Sequence, residues 1–260
     1  MSDQDRVGSI ADASKPNAGR IYDYVLGGNH NFEVDRLTAQ QILKLLPDYP
    51  QMARYVRWFL GEAVRRLAGE GYRLFIDFAS GLPTVDHIHQ ITPAETKVIY
   101  SDIDPVTVAY GQEIIREVPN ARYVVCDAAA PESLLSSPMV RELFGADRKV
   151  VFGLNGVAFF LEDKEIAHTM KTLYEWADKG SRLFLSDLDP SVRVPEADVI
   201  FQKMGQPVFM RTTEQLRRLV APWEAGEGFR LLVEWIGVRM PPEQKKSPFS
   251  DLLRGAILRK

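Results

Sequence analysis

The feature that most constrains the fold is a regular alternation of short apolar runs and helical patterns, which begins at Arg73. The apolar runs predict strands at 73–79, 97–102, 121–126, 149–154 and 181–187. Helical patterns lie between them, at about 84–91, 105–117, 132–143 and 163–178. This alternation predicts a mostly parallel sheet with right-handed crossovers, in which ligands bind at the carboxyl ends of the strands.

The first predicted strand leads into a turn of small residues. Asp77 ends the apolar run, and Pro83 stands where the first position of a helix is expected. Between them lie Ala79, Ser80 and Gly81. Small residues let backbone N–H groups approach a ligand, and a helix N-terminus beyond them favours an anion such as a carboxylate. One glycine is weak evidence by itself. A βα turn that binds no ligand is therefore the alternative.

Three helical segments precede the first strand, at about 17–25, 32–46 and 51–69. We expect residues 17–70 to form a helical cap that covers part of the ligand edge of the sheet. Residues 1–16 are polar and rich in small side chains, which predicts a loosely held arm.

The C-terminal part breaks the alternation. It predicts a loop at 189–207, a helix at 212–220, and an antiparallel hairpin of strands at 230–238 and 252–258. The hairpin would close a seven-stranded sheet whose last strand is antiparallel. Residues 71–260 are therefore expected to form one α/β domain.

Composition excludes several classes of function. The formal net charge of −3 and pI of about 5.9 argue against nucleic acid as a partner, since no basic field is present. Cys126 is the only cysteine, so an intramolecular disulfide is impossible, and no histidine spacing indicates a metal site. No apolar run is long enough for a membrane span, and the polar N-terminus lacks the core of a signal peptide. We expect a cytoplasmic protein with a small-molecule partner, no metal, and an oligomeric state that the sequence leaves open.

An acidic side chain ends the second predicted strand. Asp102, followed by Ile103, lies about 20 residues past the glycine turn, where a carboxylate accepts hydrogen bonds from both ribose hydroxyls. Asp104 directly precedes Pro105, which indicates a helix N-cap instead. Asp102 is therefore the better candidate for a ribose ligand.

The third and fourth strands also end in candidate binding residues. Asp127, between Cys126 and Ala128, is placed to accept a hydrogen bond from the exocyclic amine of a purine. Asn155 ends the fourth strand and faces the same crevice. Each signal is weak alone, but together they indicate a nucleoside site.

The turn has a single glycine, whereas a dinucleotide site would favour Gly-x-Gly-x-x-Gly close to a pyrophosphate. A nucleoside without phosphates therefore fits better. S-adenosylmethionine has a ribose, an adenine and a carboxylate but no phosphate.

Several motifs together resemble a bacterial family of S-adenosylmethionine-dependent methyltransferases, part of which was first catalogued as a domain of unknown function common in actinomycetes. The similar residues are Arg20-Ile21-Tyr22-Asp23-Tyr24-Val25-Leu26-Gly27-Gly28, Asn31-Phe32, Asp35-Arg36, Ala53-Arg54, Arg57, Phe59-Leu60 and Gly81-Leu82-Pro83-Thr84. The resemblance covers about residues 14–190 well and the C-terminal part poorly. It implies a class I methyltransferase-like Rossmann fold and S-adenosylmethionine as the cofactor.

The chain departs from the pattern of that family at three places. The family usually has a Gly-Thr-Gly-like turn where this chain has Ala79-Ser80-Gly81. It often has a histidine after the fourth strand, where Phe159 stands, and another after the fifth, where Asp187 stands. These departures leave open a different acceptor or a loss of activity.

The N-terminal motif supplies the candidates for the substrate side. The candidates for lining the substrate pocket are Arg20, Tyr22, Tyr24, Asn31, Phe32 and Phe159. The alternative for Tyr22, Tyr24 and Phe32 is that they only pack the helices onto the domain. His30 and Asp187 are the candidate general bases, which would matter only for an acceptor that arrives protonated.

Three functions stay open at this point. The leading interpretation is methyl transfer to a small molecule. The others are a protein that binds S-adenosylmethionine or its demethylated product without catalysis, and a nicotinamide-dependent oxidoreductase on a similar sheet.

Overall fold

The computed structural model describes residues 14–82, 86–237 and 252–260. Residues 1–13 of the predicted arm and the predicted helix start at Pro83 lie outside the described residues, as does the hairpin connection at 238–251.

Three helices precede the first strand, and from β1 to β5 at least one helix lies between successive strands. The helices are α1 Ala18–Val25, α2 Glu33–Leu45, α3 Tyr49–Gly69, α4 Ile88–Ile91, α5 Pro105–Ile114, α6 Glu132–Leu135, α7 Pro138–Phe144, α8 Asp163–Trp176, α9 Pro195–Lys203, α10 Thr213–Leu219 and α11 Leu232–Ile236. The strands are β1 Leu74–Asp77, β2 Lys97–Asp102, β3 Ala121–Val125, β4 Val151–Leu154, β5 Arg182–Leu188, β6 Glu224–Ala225, β7 Arg230–Leu231 and β8 Leu253–Arg259. Short 3₁₀ helices lie at Ala158–Phe160 and Pro190–Val192.

All strands join one sheet in the order β3-β2-β1-β4-β5-β8-β6, with β7 also paired to β8. Strands β1 to β5 are parallel, and β8 runs antiparallel to β5 over its whole length. The predicted fold class is therefore confirmed, including the antiparallel last strand. Within the described residues the sheet has eight strands, because two short ones, β6 and β7, share the edge of β8 that one longer strand would occupy.

Two predictions for the C-terminal part were wrong. The strand expected at 230–238 ends at Leu231, and α11 follows, since a short apolar run satisfies both strand and helix periodicity. The loop expected at 189–207 contains α9, whose buried side chains include only Ala197 and Phe201. So few apolar positions make a weak helical signal.

Helix α3 packs on one face of the sheet. Phe59 shares a buried cluster with Phe75 and Phe184 of the strands and with Trp235 of α11. A Cβ atom at Gly255 would lie 2.7 Å from the Phe59 ring, so the glycine on β8 allows this close approach. Burying aromatic side chains of this size stabilises the fold by about 2 kcal/mol each. Helix α3 and the sheet therefore share one core. The division of the chain into a cap at 17–70 and a domain at 71–260 stays a prediction.

No helix within the described ranges is long and apolar enough to cross a membrane.

Candidate active site

A cavity of about 440 Å³ opens at the carboxyl ends of the parallel strands. One wall consists of the ends of β1 to β4. The opposite wall comes from α1, α3 and α9, the 3₁₀ helix at Ala158–Phe160, and residues 205–210. The N-terminal helices therefore cover part of the ligand edge, as the number of helices before the first strand predicts.

The turn after β1 is held against the end of β2. The Ser80 N–H donates to the Ser101 carbonyl at 2.9 Å, and the Gly81 N–H donates to Asp102 Oδ2 at 3.1 Å. Gly81 has a φ of 61° and Ala79 a φ of 50°, so an alanine occupies a left-handed conformation that favours glycine. These two N–H groups already have acceptors within the protein. The first described helix after the turn is α4, which begins at Ile88 and has four residues.

Asp77 is buried at the end of β1. Its carboxylate lies against β4, where a Cβ at Gly153 would come within 2.1 Å of Oδ1, so a glycine is required there. The other oxygen, Oδ2, has no hydrogen-bond partner among the described residues. Burial raises the pKa of Asp77 to about 7, although a hydrogen bond from Ser80 and the charge of Arg57 oppose this. Asp77 therefore offers an acceptor oxygen that a ligand can use.

Asp102 accepts hydrogen bonds from backbone N–H groups. Oδ1 accepts from the N–H of Asp104 at 3.0 Å, and Oδ2 accepts from Gly81. Burial raises the pKa of Asp102 to about 6, while these backbone donors oppose the shift. The structure thus joins the turn after β1 to the carboxylate at the end of β2, which a shared nucleoside site requires.

The end of β3 lies beside the end of β2. The Cys126 N–H donates to the Asp102 carbonyl at 3.0 Å, and Asp127 Oδ1 accepts from the Ala129 N–H at 2.9 Å. Burial raises the pKa of the Cys126 thiol to about 12, so this cysteine is neutral at pH 7 and is not a nucleophile.

Asn155, just beyond β4, links the two walls. Its Nδ2 donates to the Val56 carbonyl on α3 at 3.0 Å, and its Oδ1 accepts from the Ser186 hydroxyl on β5 at 2.8 Å. Every residue predicted to bind the cofactor lines this one cavity: Asp77, Ala79, Ser80, Gly81, Asp102, Ile103, Cys126, Asp127, Ala128 and Asn155. Their individual roles stay predictions.

The substrate-side candidates divide into two groups. Tyr22 and Phe159 line the cavity. Tyr22 donates its hydroxyl to the Ala53 carbonyl at 2.9 Å, and burial raises its pKa. The residues that do not line the cavity are Arg20, Tyr24, Asn31, Phe32, His30 and Asp187.

Arg20 is fully buried in an ion network. Its Nε lies 2.8 Å from Asp35 Oδ2, and its Nη1 lies 2.8 Å from Asp104 Oδ2. The guanidinium carbon also lies 5.1 Å from the centre of the Phe32 ring. Arg20 thus ties α1 and α2 to the segment after β2, instead of facing the cavity.

The candidates near Gly28 make local contacts. The Asn31 side chain and the His30 N–H both donate to Asp23 Oδ2 at 2.9 Å. The His30 ring packs edge-on against Tyr110, with 5.2 Å between ring centres. These contacts shape the connection between α1 and α2.

Asp187 points away from the cavity. Side chains alternate along β5, so Ser186 and Leu188 face the α3 side while Asp187 faces the other. Burial raises the pKa of Asp187 to about 7, and the charge of Arg211 on that opposite side lowers it.

Sequence reasoning missed three parts of the cavity. Arg57, which appeared only in the family motif, lines it from α3, as does Tyr49. Ala53, Arg57 and Leu60 recur at helical spacing and all line the cavity, so their periodicity could have identified this face. Several residues between 194 and 210 also line it. The sequence predicted a loop over most of this segment, so it indicated no cavity-lining face there.

Comparison with known proteins agrees with this geometry. A family model described as S-adenosyl methyltransferase matches residues 4–238. A candidate methyltransferase from Thermobifida fusca, known from its crystal structure, is 30% identical over 96% of this chain and 97% of its own, with a TM-score of 0.86. A DUF574 family protein from Streptomyces avermitilis is 24% identical over 96% of this chain and 99% of its own, with a TM-score of 0.85.

A more distant structure shares the fold. The magnesium protoporphyrin IX methyltransferase from Synechocystis, crystallised with S-adenosylmethionine, is 14% identical over 100% of this chain and 98% of its own, with a TM-score of 0.58. A search of curated proteins found no match.

Proposed function

Because the chain belongs to the S-adenosyl methyltransferase family, we propose that it transfers the methyl group of S-adenosylmethionine to a small, apolar acceptor bound in the same cavity. The cofactor follows from the family. The acceptor class and the role of each residue are the parts that we add.

The strand-end wall suits the cofactor. Asp102 would accept from the ribose hydroxyls, and Asp127 from the adenine amine, because a carboxylate is a strong acceptor for both. The Oδ2 atom of Asp77, buried and unpartnered among the described residues, would accept from the ammonium of the methionine end. This unpartnered oxygen is the observation that best supports the fit, because a buried carboxylate oxygen without a donor is costly until a ligand supplies one.

The opposite wall suits an apolar acceptor. Aromatic and aliphatic side chains dominate it: Tyr22, Tyr49, Met52, Leu60, Phe159, Phe160, Leu188, Ala197, Phe201, Val208, Phe209 and Met210. Of its charged residues, Glu162 and Lys164 are exposed at the margin, and Arg57 on α3 is half-buried. An acceptor that buries apolar surface would gain about 25 cal/mol for each Å² removed from water.

The chemistry needs alignment more than acid–base catalysis. When bound, the cofactor supplies a methyl group on a positively charged sulfur, which is open to attack by a nucleophile. The residues of the protein position the two reactants in line and exclude water, so proximity supplies most of the acceleration. No histidine lines the cavity within the described parts of the chain. The proposed acceptor therefore has a nucleophile that is already deprotonated or that needs no base.

A ligand titration followed by a turnover assay tests this function. We expect S-adenosylhomocysteine to bind by calorimetry and NADH not to bind. Incubation of S-adenosylmethionine with a panel of apolar aromatic and isoprenoid compounds should form S-adenosylhomocysteine for at least one of them. Preferential binding of NADH would contradict the cofactor assignment. Tight binding with turnover only on polar acceptors would contradict the acceptor class.

A further inference from the structure

Arg57 places a positive charge at the cavity with uncharged partners. Its Nη1 lies 2.6 Å from Nε2 of His87, and its guanidinium carbon lies 5.7 Å from the centre of the Tyr22 ring. Burial and the charge of Arg57 hold the pKa of His87 well below its ordinary value, so the imidazole is neutral and its Nε2 accepts the hydrogen bond. Among residues 14–82, 86–237 and 252–260, no carboxylate forms an ion pair with Arg57.

A half-buried guanidinium that forms no ion pair within these described ranges favours an anionic ligand. The expected alternative donors for such an anion have other acceptors. The Ser80 N–H donates to Ser101, and the Gly81 N–H donates to Asp102. An anion at this end of the cavity would therefore need a side-chain donor, and Arg57 lines the cavity from α3.

Asp77 provides the complementary charge. Asp77 lines the same cavity as Arg57, and the charge of Arg57 lowers the pKa of Asp77, although burial has the larger effect and raises it. Asp77, with its unpartnered oxygen, and Arg57, with its neutral partners, match the two charges of a free α-amino acid. S-adenosylmethionine carries such a group at its methionine end.

We infer that Arg57 binds the carboxylate of the methionine end of S-adenosylmethionine, while Asp77 accepts from its ammonium group and His87 holds the guanidinium in place. This inference rests on the proposed function. It makes the site selective for nucleosides that keep the whole amino acid.

Three ligands separate the two charges. S-adenosylhomocysteine has both, its descarboxy analogue keeps only the ammonium, and 5′-methylthioadenosine has neither. In calorimetric titrations, Arg57→Gln should weaken S-adenosylhomocysteine by about 10- to 100-fold, the loss expected for a charge-assisted hydrogen bond. The other two ligands should change by less than about twofold, since they lack the carboxylate.

Two further variants control this measurement. Arg54→Gln removes an arginine one turn earlier on α3 that is exposed and contacts Gln51, and it should leave all three affinities unchanged. Arg57→Lys keeps the charge but not the fork that reaches both His87 and the ligand, so its affinity for S-adenosylhomocysteine should fall between those of the wild type and Arg57→Gln. Binding of 5′-methylthioadenosine shows that each variant is folded.

The outcomes separate the two proposals. Failure of the wild type to bind S-adenosylhomocysteine would overturn the proposed function together with this inference. If the wild type binds it but Arg57→Gln has no effect, or weakens all three ligands equally, only the role of Arg57 is overturned.

Discussion

The two walls of the cavity are built differently. The strand-end wall consists of residues that follow β1 to β4, and neighbouring strands fix their positions through the register of the sheet. The opposite wall consists of helices, a 3₁₀ turn and the segment at 194–210, and its side chains are mainly apolar. We refer to the strand-end wall as the polar wall and to the opposite wall as the apolar wall. The first wall is therefore determined by the fold, whereas the second depends on segments that can vary without changing the sheet. This difference agrees with the proposal that the strand ends bind most of the cofactor and that the opposite wall, apart from Arg57, binds the acceptor.

The largest expected effect comes from removing Arg20, which ties α1 and α2 to the segment after β2. Arg20→Met leaves Asp35 and Asp104 buried without their cation, so unfolding free energy should fall by about 3–5 kcal/mol. Urea denaturation followed by circular dichroism measures this loss. Arg54→Met, at an exposed position, should have little effect. A loss of less than about 1 kcal/mol for Arg20→Met would show that the network does not hold the walls together.

Asp102→Ala tests the polar wall alone. Removing the carboxylate should weaken binding of S-adenosylhomocysteine by roughly 1–3 kcal/mol, the scale of losing charged hydrogen bonds. Calorimetry measures the change, with the exposed Asp147→Ala as a control. Unchanged affinity in Asp102→Ala would contradict the assignment of the ribose site.

The pH dependence tests the buried acids of the same wall. Burial raises the pKa of Asp77 to about 7 and that of Asp102 to about 6, above the ordinary value of 3.8. The folded chain therefore binds more protons than the unfolded chain between about pH 4 and 7, and this contribution to stability is lost as the pH rises through that range.

Ligand binding should show the opposite trend. Donors from the ligand favour the ionised acids, so affinity for S-adenosylhomocysteine should rise up to about tenfold between pH 6 and 8. Titrations in buffers of different ionisation enthalpy should detect proton release at pH 6.5. Asp77→Asn should reduce this release, and an unchanged release would assign the titration to another group.

The smallest expected effect concerns the apolar wall. Phe201→Ala should weaken binding of an uncharged naphthalene dye by about fivefold, or about 1 kcal/mol, because part of its apolar contact is lost. Fluorescence titration measures the dye, and calorimetry should show unchanged affinity for S-adenosylhomocysteine. Equal weakening of both ligands would mean that the two walls do not act separately.

The polar wall was more predictable from sequence than the apolar wall. Parallel strands end at one edge of a sheet, so finding the strands placed Asp77, Asp102 and Asp127 together without knowledge of any contact. The cofactor-side candidates therefore share one cavity. The single helix predicted at 132–143 is two helices, α6 and α7. Helix α7 begins at Pro138, and Ser137 is its N-cap.

The apolar wall depends on contacts that are distant in sequence. The N-terminal motif gave Arg20 and Tyr22 as pocket candidates, but Arg20 pairs with Asp104, which lies 84 positions later. Local periodicity contains no information about such a partner. The alternation of side chains on β5 could have shown that Asp187 and the cavity residue Leu188 face opposite sides.

The position of Asp104 gives the Arg20 network one more consequence. Its carboxylate receives Arg20, while its own N–H donates to Asp102, so one residue belongs both to the anchor of the N-terminal helices and to the predicted ribose site. A chimera that grafts the N-terminal helices of a relative onto this sheet would therefore need an arginine at position 20. Without it, the graft would disturb the nucleoside site even though no residue of the sheet had been exchanged.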